Sequence, residues 1–343
     1  MPSQPHGAAF GEIGTVSPDT VAASLGRNDG GFGRSQETYF DHPVLQKAHW
    51  SWQIVGYFFA GGMAAASAAL ATMAERAGDP RDRALVRNGR YAALAGAGVS
   101  GVLLVADLGR PERFLNMMRI FKLKSPMSVG VYAFSTFSAT AGLAVLEQAR
   151  TDGTIARNPL GWIPKGPRVA MHALSAALMA SYTGVLLSAT AIPVWYRGRR
   201  HLPAIFALSA TSTGCALQNG LLALGAGSPT TSRKLELIET IAGIGEALLL
   251  LDYERAAGVP GKALFGGARG RRLKRLTLGL GLAVPALMAL PGLFGRHAKR
   301  VDRLRALLAT ACALTGGYVL RETVVHAGRD SADDPRAYLQ HPA

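Results

Sequence analysis

Apolar and polar positions separate into long blocks along this chain. Residues 1–48 are polar and rich in Gly, Ser, Asp and Pro. Eight apolar segments follow, at about 50–74, 91–108, 126–147, 169–192, 202–224, 235–252, 276–295 and 304–325, with Arg-rich hydrophilic connections between several of them. A helix needs about 20 predominantly apolar residues to cross the hydrocarbon core of a bilayer, and each segment comes close to that length. The second and sixth fit least well, being short or carrying acids. The pattern predicts an all-α polytopic membrane protein with about eight transmembrane helices in a bundle. It divides the chain into a polar N-terminal tail (1–48), an eight-helix transmembrane domain (49–328) and a short C-terminal tail (329–343). The first 48 residues lack a positive stretch followed by an apolar one and read as a tail, not a signal peptide.

Composition agrees with that division. The 343 residues include 37 Lys+Arg and 22 Asp+Glu, so only 17% of the chain is charged, against roughly 25% in soluble domains. Mean hydropathy is nevertheless positive, at +0.17, which requires the charges to be segregated from the apolar runs. A disordered chain, a disulfide-stapled secreted domain and most soluble enzymes are excluded. The two cysteines, Cys215 and Cys312, sit far apart in apolar runs and cannot by themselves hold an iron–sulfur cluster or a zinc ion. A bis-histidine haem needs two histidines at matching depth, and only His172 lies clearly within a segment. The expectation is a chain with no haem and no iron–sulfur cluster of its own. Lys and Arg are somewhat more numerous on the side that carries both termini, which favours termini inside. The run Arg269–Arg275 reads as a helix flank that sets orientation, and no nucleic-acid partner is expected.

Small residues recur inside the segments, as in Gly61-Gly62, Gly96-Ala97-Gly98 and Gly316-Gly317. They let helices approach closely in lipid. Gly96-x-Gly98-x-x-Gly101 matches a dinucleotide fingerprint only formally: no strand precedes it, and it lies within a spanning segment.

Three constellations carry candidate chemistry. His49, Gln53 and Tyr57 are four apart and share one helical face, a stripe able to hydrogen-bond a quinone carbonyl and pass a proton. Trp50 and Trp52 beside them read as an interfacial belt. Asp107-Leu-Gly-Arg-Pro-Glu-Arg-Phe114, followed by Lys124-Ser-Pro-Met-Ser-Val-Gly-Val-Tyr132, forms a tight connection between the second and third segments. A loop fixed by its own ion pairs is the plainer reading of it. By parity, the start of the first segment, the end of the second, the start of the third and the end of the eighth share a side with the termini. His49, Gln53, Tyr57, Asp107, Arg113, Ser128, Tyr132 and Arg321 then belong to one face. Finally, Glu239 and Glu246 are seven apart on the sixth segment. A charged acid at mid-span costs about 2.5–3.5 kcal/mol on insertion scales, so both are candidates for a proton path. Gln218, Asn219, His172 and Tyr182 read as interhelical hydrogen-bond donors and acceptors.

The run Tyr39-Phe-x-x-Pro43-Val-Leu with Trp50-x-Trp52-x-Ile-x-x-Tyr57-Phe-Phe-x-Gly61-Gly62 resembles the NrfD/PsrC-type (polysulfide reductase-like) membrane subunits. So do Asp107-Leu-Gly-x-Pro111-x-Arg113-Phe with Ser125-Pro-Met-Ser-x-Gly130, and Gly316-Gly-x-x-x-Arg321-x-x-Val-x-x-Ala-Gly328-x-x-Ser331. The resemblance implies a quinone-reactive membrane anchor of a multisubunit oxidoreductase, with menaquinone or ubiquinone as bound substrate. It implies electron exchange with a four-cluster iron–sulfur subunit and, through it, a molybdopterin or other catalytic subunit. The implied location is a bacterial or archaeal cytoplasmic membrane. The chain departs from many relatives at Gln53 and Val55, where they carry Glu and Pro; Gln53 can hydrogen-bond a quinone but cannot exchange a proton. Two other classes stand beside this reading: a proton-coupled secondary transporter using Glu239 and Glu246, and a structural anchor with an inactive quinone site.

Overall fold

The computed structural model describes residues 45, 48, 50–110, 112–156, 162–225, 227–293, 299–334 and 337. Among the described residues all regular structure is helical, with no strand. Eight long helices are found among these residues: α1 (Trp52–Ala77), α2 (Arg83–Asp107), α3 (Pro126–Thr151), α4 (Lys165–Ser188), α5 (Leu202–Leu224), α6 (Pro229–Ala256), α7 and α8 (Lys299–Asp333). α7 is one continuous run in three parts, Gly267–Arg272, a π-helical stretch Leu273–Ala283 and Val284–Leu293. Shorter helices occupy Glu112–Met118 and Pro193–Arg197.

Local chemistry sets the helix boundaries. α1 stops at Gly78, which takes a left-handed conformation (φ 69°) and returns its N–H to Ala74 O, a conformation a glycine adopts without strain. Asp79 then accepts from the Arg81 backbone N–H and turns the chain through Pro80–Asp82 into α2. The Arg81 amide and the Lys234 ammonium hold the Asp79 carboxyl down to about 2. α3 opens with Ser125 accepting from Ser128 N and Pro126 in the first turn, where a missing N–H costs nothing. Pro203 and Pro229 open α5 and α6 in the same way.

Among the described residues, five helical runs are long and apolar enough to cross a membrane by length and composition: α1, α2 with its preceding turn, α3, α4 and the greater part of α7. α5, α6 and α8 are as long but carry polar residues that are turned inward, among them Gln218, Asn219, Glu239, Glu246 and Arg321. The apolar residues that α6 exposes, such as Ile241, Ile244 and Leu248, suit lipid. The chain is an integral membrane protein.

Contacts fix how the helices run. The start of α1 meets the end of α2 through Ser51 and Asp107. It meets the end of α8 through Arg329, which donates to Trp50 O. At the other end, Glu75 of α1 pairs with Arg90 of α2 and Lys165 of α4, and Asp82 pairs with Lys234 of α6. α1 is the central helix and packs against α2, α4, α5 and α8. A Cβ on Gly96 would sit 2.7 Å from Ala64 Cβ, so the α1–α2 approach depends on this glycine, whereas Gly98 has nothing within 4 Å. Helix packing thus accounts for Gly96 of the Gly-x-Gly motif. α7 and α8 touch backbone to backbone at Gly281 and Gly316, where Thr277 also donates to Gly316 O.

Candidate functional site

A cavity of about 100 Å³ opens at the end of the bundle where α1 begins. Its walls come from α1 (Ile54, Tyr57, Phe58), the end of α2 (Leu104, Asp107), the start of α3 (Met127, Gly130, Val131) and the end of α4 (Tyr182, Leu186), with Trp50 and Met117. Alternation of helix direction brings these ends together, because short connections force neighbours antiparallel.

Its polar groups are few and placed at the walls. Asp107 accepts a hydrogen bond from Ser51 Oγ, which ties the entry of α1 to the exit of α2. Tyr57 is buried and packs edge-on against Phe134. Tyr182 donates to Pro126 O at 2.5 Å across to the first turn of α3. Gly130 makes room for that phenol, because a Cβ there would lie inside the Tyr182 ring's own space. The indole of Trp50 stacks on Trp195 with centroids 5.0 Å apart. Trp195 is fully buried and is fixed by its Nε1 donating to Val324 O at 2.8 Å.

The expected residues divide. Tyr57 and Asp107 meet in this cavity. Gln53 lies one turn before Tyr57, with a buried Oε1 that has no hydrogen-bond partner among the described residues. Ser128 and Tyr132 lie outside the cavity wall and hold the preceding loop. Ser128 Oγ accepts from Lys122 N at 3.0 Å and donates to Ile120 O, and Tyr132 donates to Met118 O at 2.7 Å. His49 falls outside the described residues, as does the side chain of Arg113. Two wall residues escaped the sequence reading: Trp50, read as part of a belt, and Tyr182, read as interhelical glue. The parity argument places the end of the fourth segment at this same face and would have found Tyr182. Trp52, by contrast, is 65% exposed.

Arg321 is not at the face that parity gave it. α8 continues to Asp333, so Arg321 lies about three turns inside the bundle and is 1% exposed. It donates to Phe58 O at 3.2 Å, Ser209 Oγ at 3.1 Å and Gly317 O at 2.8 Å, and lies over the rings of Phe59 and Phe206. Glu246 of α6 is buried within electrostatic reach of Arg321 and Ser209, and neither of its carboxyl oxygens completes a hydrogen bond among the described residues. Further along α6, Glu239 lines a cavity of about 190 Å³ between α6 and α7, together with Ser212, Leu278 and Pro285. It also lines a space of about 20 Å³ shared with Asn219, Glu236 and Arg305, enough for a water molecule. Glu236 faces Arg305 at 3.6 Å near the far end. Glu239, Glu246 and Arg321 therefore form a string of ionisable groups through the α5–α8 half.

His172, read as glue, is hydrogen-bonded through Nδ1 to Thr140 Oγ1 at 3.0 Å. Among the described residues, no three His, Cys, Asp or Glu side chains converge in a way that could hold a metal ion.

A bundle that is all-helical among the described residues, with helices long and apolar enough to cross a membrane, defines a polytopic membrane protein, and a polar-edged apolar cavity opens at one end of it. The family described as polysulphide reductase, NrfD, matches residues 43–329, most of the chain, and the chain belongs to it. That family suggests a membrane subunit of quinone-linked oxidoreductase complexes. No curated protein matches the chain.

Proposed function

We propose that this chain is the quinone- or quinol-reactive anchor of a multisubunit oxidoreductase, exchanging electrons between membrane quinone and a docked iron–sulfur subunit. The cavity at the start of α1, in a chain of the NrfD family, carries the reading. A quinone head is flat and apolar on its faces and polar only at its edge. The cavity offers the matching surfaces: the Trp50 indole, the aliphatic walls of Ile54, Leu104 and Leu186, and polar atoms at Asp107, Tyr57 and Tyr182. When bound, quinone supplies two-electron, two-proton redox chemistry. The chain's own residues hold and orient it and handle the protons. The Tyr57 phenol is a hydrogen-bond donor, and Asp107 is a proton acceptor held in place by Ser51. His49, Gln53 and Arg113 complete the proposed binding set, while Ser128 and Tyr132 contribute by fixing the loop beside it.

In the same reading Glu239 and Glu246 carry protons through the α5–α8 half. Arg321 joins that string to the cavity, since it donates to the carbonyl of Phe58, a wall residue. Menaquinone and ubiquinone both suit the site. The proposed partner is a four-cluster iron–sulfur subunit that hands electrons to or from a molybdopterin or other catalytic subunit, in a bacterial or archaeal cytoplasmic membrane.

The test is quinol turnover by the affinity-purified complex carrying Asp107→Asn or Tyr57→Phe. Each variant should assemble and lose most turnover. Wild-type kinetics in both would remove the cavity from the reaction, and purification without any iron–sulfur partner would remove the redox role.

A further inference from the structure

Between the short helix Glu112–Met118 and α3 the chain exposes six consecutive residues, Arg119, Ile120, Phe121, Lys122, Leu123 and Lys124. Ile120 is 62% and Leu123 78% exposed, and Met127 in the first turn of α3 is exposed as well. A segment this apolar does not face water without a reason. It is also well held: Tyr132 and Ser128 fasten Met118, Ile120 and Lys122 to α3, and the Phe121 ring packs edge-on against Tyr132 with centroids 4.8 Å apart. The loop thus presents a fixed outward face in which apolar side chains alternate with cations.

We infer that the segment Arg119–Met127 is seated in an anionic lipid surface and forms the portal by which lipid-soluble ligands reach the neighbouring cavity. Interleaved Lys/Arg and large apolar residues are the composition of an interfacial segment, whose apolar side chains enter the headgroup boundary while the cations meet anionic headgroups. A protein partner fits less well, because interface cores are depleted in Lys. Topology sets the depth, since the loop joins the ends of two spanning helices, and the exposed Trp52 lies at the same end of the bundle. Met127 lines the cavity while being half exposed outside it, and Met117, just before the segment, lines it too. The lipid contact stands independently, whereas the portal role rests on the quinone reading of the cavity.

The experiment uses the full complex in phosphatidylcholine vesicles with and without phosphatidylglycerol. Leu123→Cys, made in a Cys312→Ser background, carries an environment-sensitive fluorophore; the other native thiol, Cys215, is buried. The label should report an apolar setting, be quenched by lipids spin-labelled near the headgroup, and sit deeper with phosphatidylglycerol. Lys122→Glu with Lys124→Glu should abolish the phosphatidylglycerol effect. The pair should also raise the KM for a long-tailed quinol in anionic vesicles, because each lost cation weakens the segment's own hold on the anionic surface about fivefold. A label in water and quenched by iodide in both vesicle types would overturn the inference. An immersed label with unchanged KM would overturn the portal. Absence of any quinol turnover in wild type, with the label immersed, would instead overturn the quinone reading.

Discussion

Arg321 offers the sharpest test of how the bundle interior is built. The substitution Arg321→Met keeps much of the side-chain volume and removes the guanidinium. Three hydrogen bonds disappear, to Phe58 O on α1, Ser209 Oγ on α5 and Gly317 O on α8, and Glu246 loses its facing cation. A hydrogen bond to a charged group contributes about 1.5–3 kcal/mol. The two carbonyls lie within helices, so their loss is partial. Breaking a buried charged cluster by removing one member costs about 3–5 kcal/mol, and that range is the expected destabilisation. At about 2–4 °C per kcal/mol for a large domain, thermal unfolding of the purified complex in detergent should fall by about 6–20 °C. Arg321→Lys keeps the charge but not the fork that reaches two elements at once, so it should fall between wild type and Met. Arg321→Met melting within about 2 °C of wild type, well below the range set by these costs, would refute the claim that Arg321 ties α1, α5 and α8 together.

Other expectations follow from named contacts. Gly130→Ala places a methyl in the space of the Tyr182 phenol; overpacking of this kind costs about 1–3 kcal/mol, and quinol turnover should drop while assembly, followed by co-purification, survives. Glu246→Gln and Glu239→Gln preserve side-chain shape but cannot exchange a proton, so proton uptake in liposomes should slow in each; unchanged uptake in both would make the two acids structural. Asp79 is held at about 2, below its ordinary 3.8, by the Arg81 amide and Lys234. Its contribution to stability is therefore present above pH 3.8 and lost as pH falls through about 2, and Asp79→Asn should remove that part of the acid melting profile.

The helical architecture was legible because lipid demands continuous apolar runs: among the described residues a long helix follows each of the eight apolar segments, five of them apolar enough to cross a membrane. Tyr57 and Asp107 were legible as neighbours because strict alternation of direction puts the start of α1 beside the end of α2. The same counting failed for Arg321. α8 runs on as helix to Asp333, past the apolar stretch, so hydropathy alone ended it at about residue 325 and set the arginine nearer the termini face than it lies. Ser128 and Tyr132 were assigned to the right face, but parity says nothing of rotation about the helix axis, and both turn toward the loop. Trp50 and Trp52 were indistinguishable in sequence; only packing on Trp195 separates a wall residue from an interfacial one.

The most direct measurement is the site of covalent attachment of a photoreactive quinone analogue in the membrane-embedded complex, mapped by peptide mass spectrometry and competed with natural quinol. The cavity account predicts labels in peptides carrying Trp50–Phe58, Leu104–Leu108, Met127–Val131 or Tyr182–Leu186, all lost on competition. Competed labels confined to the Glu239 cavity between α6 and α7, or no competed label anywhere in the chain, would contradict it.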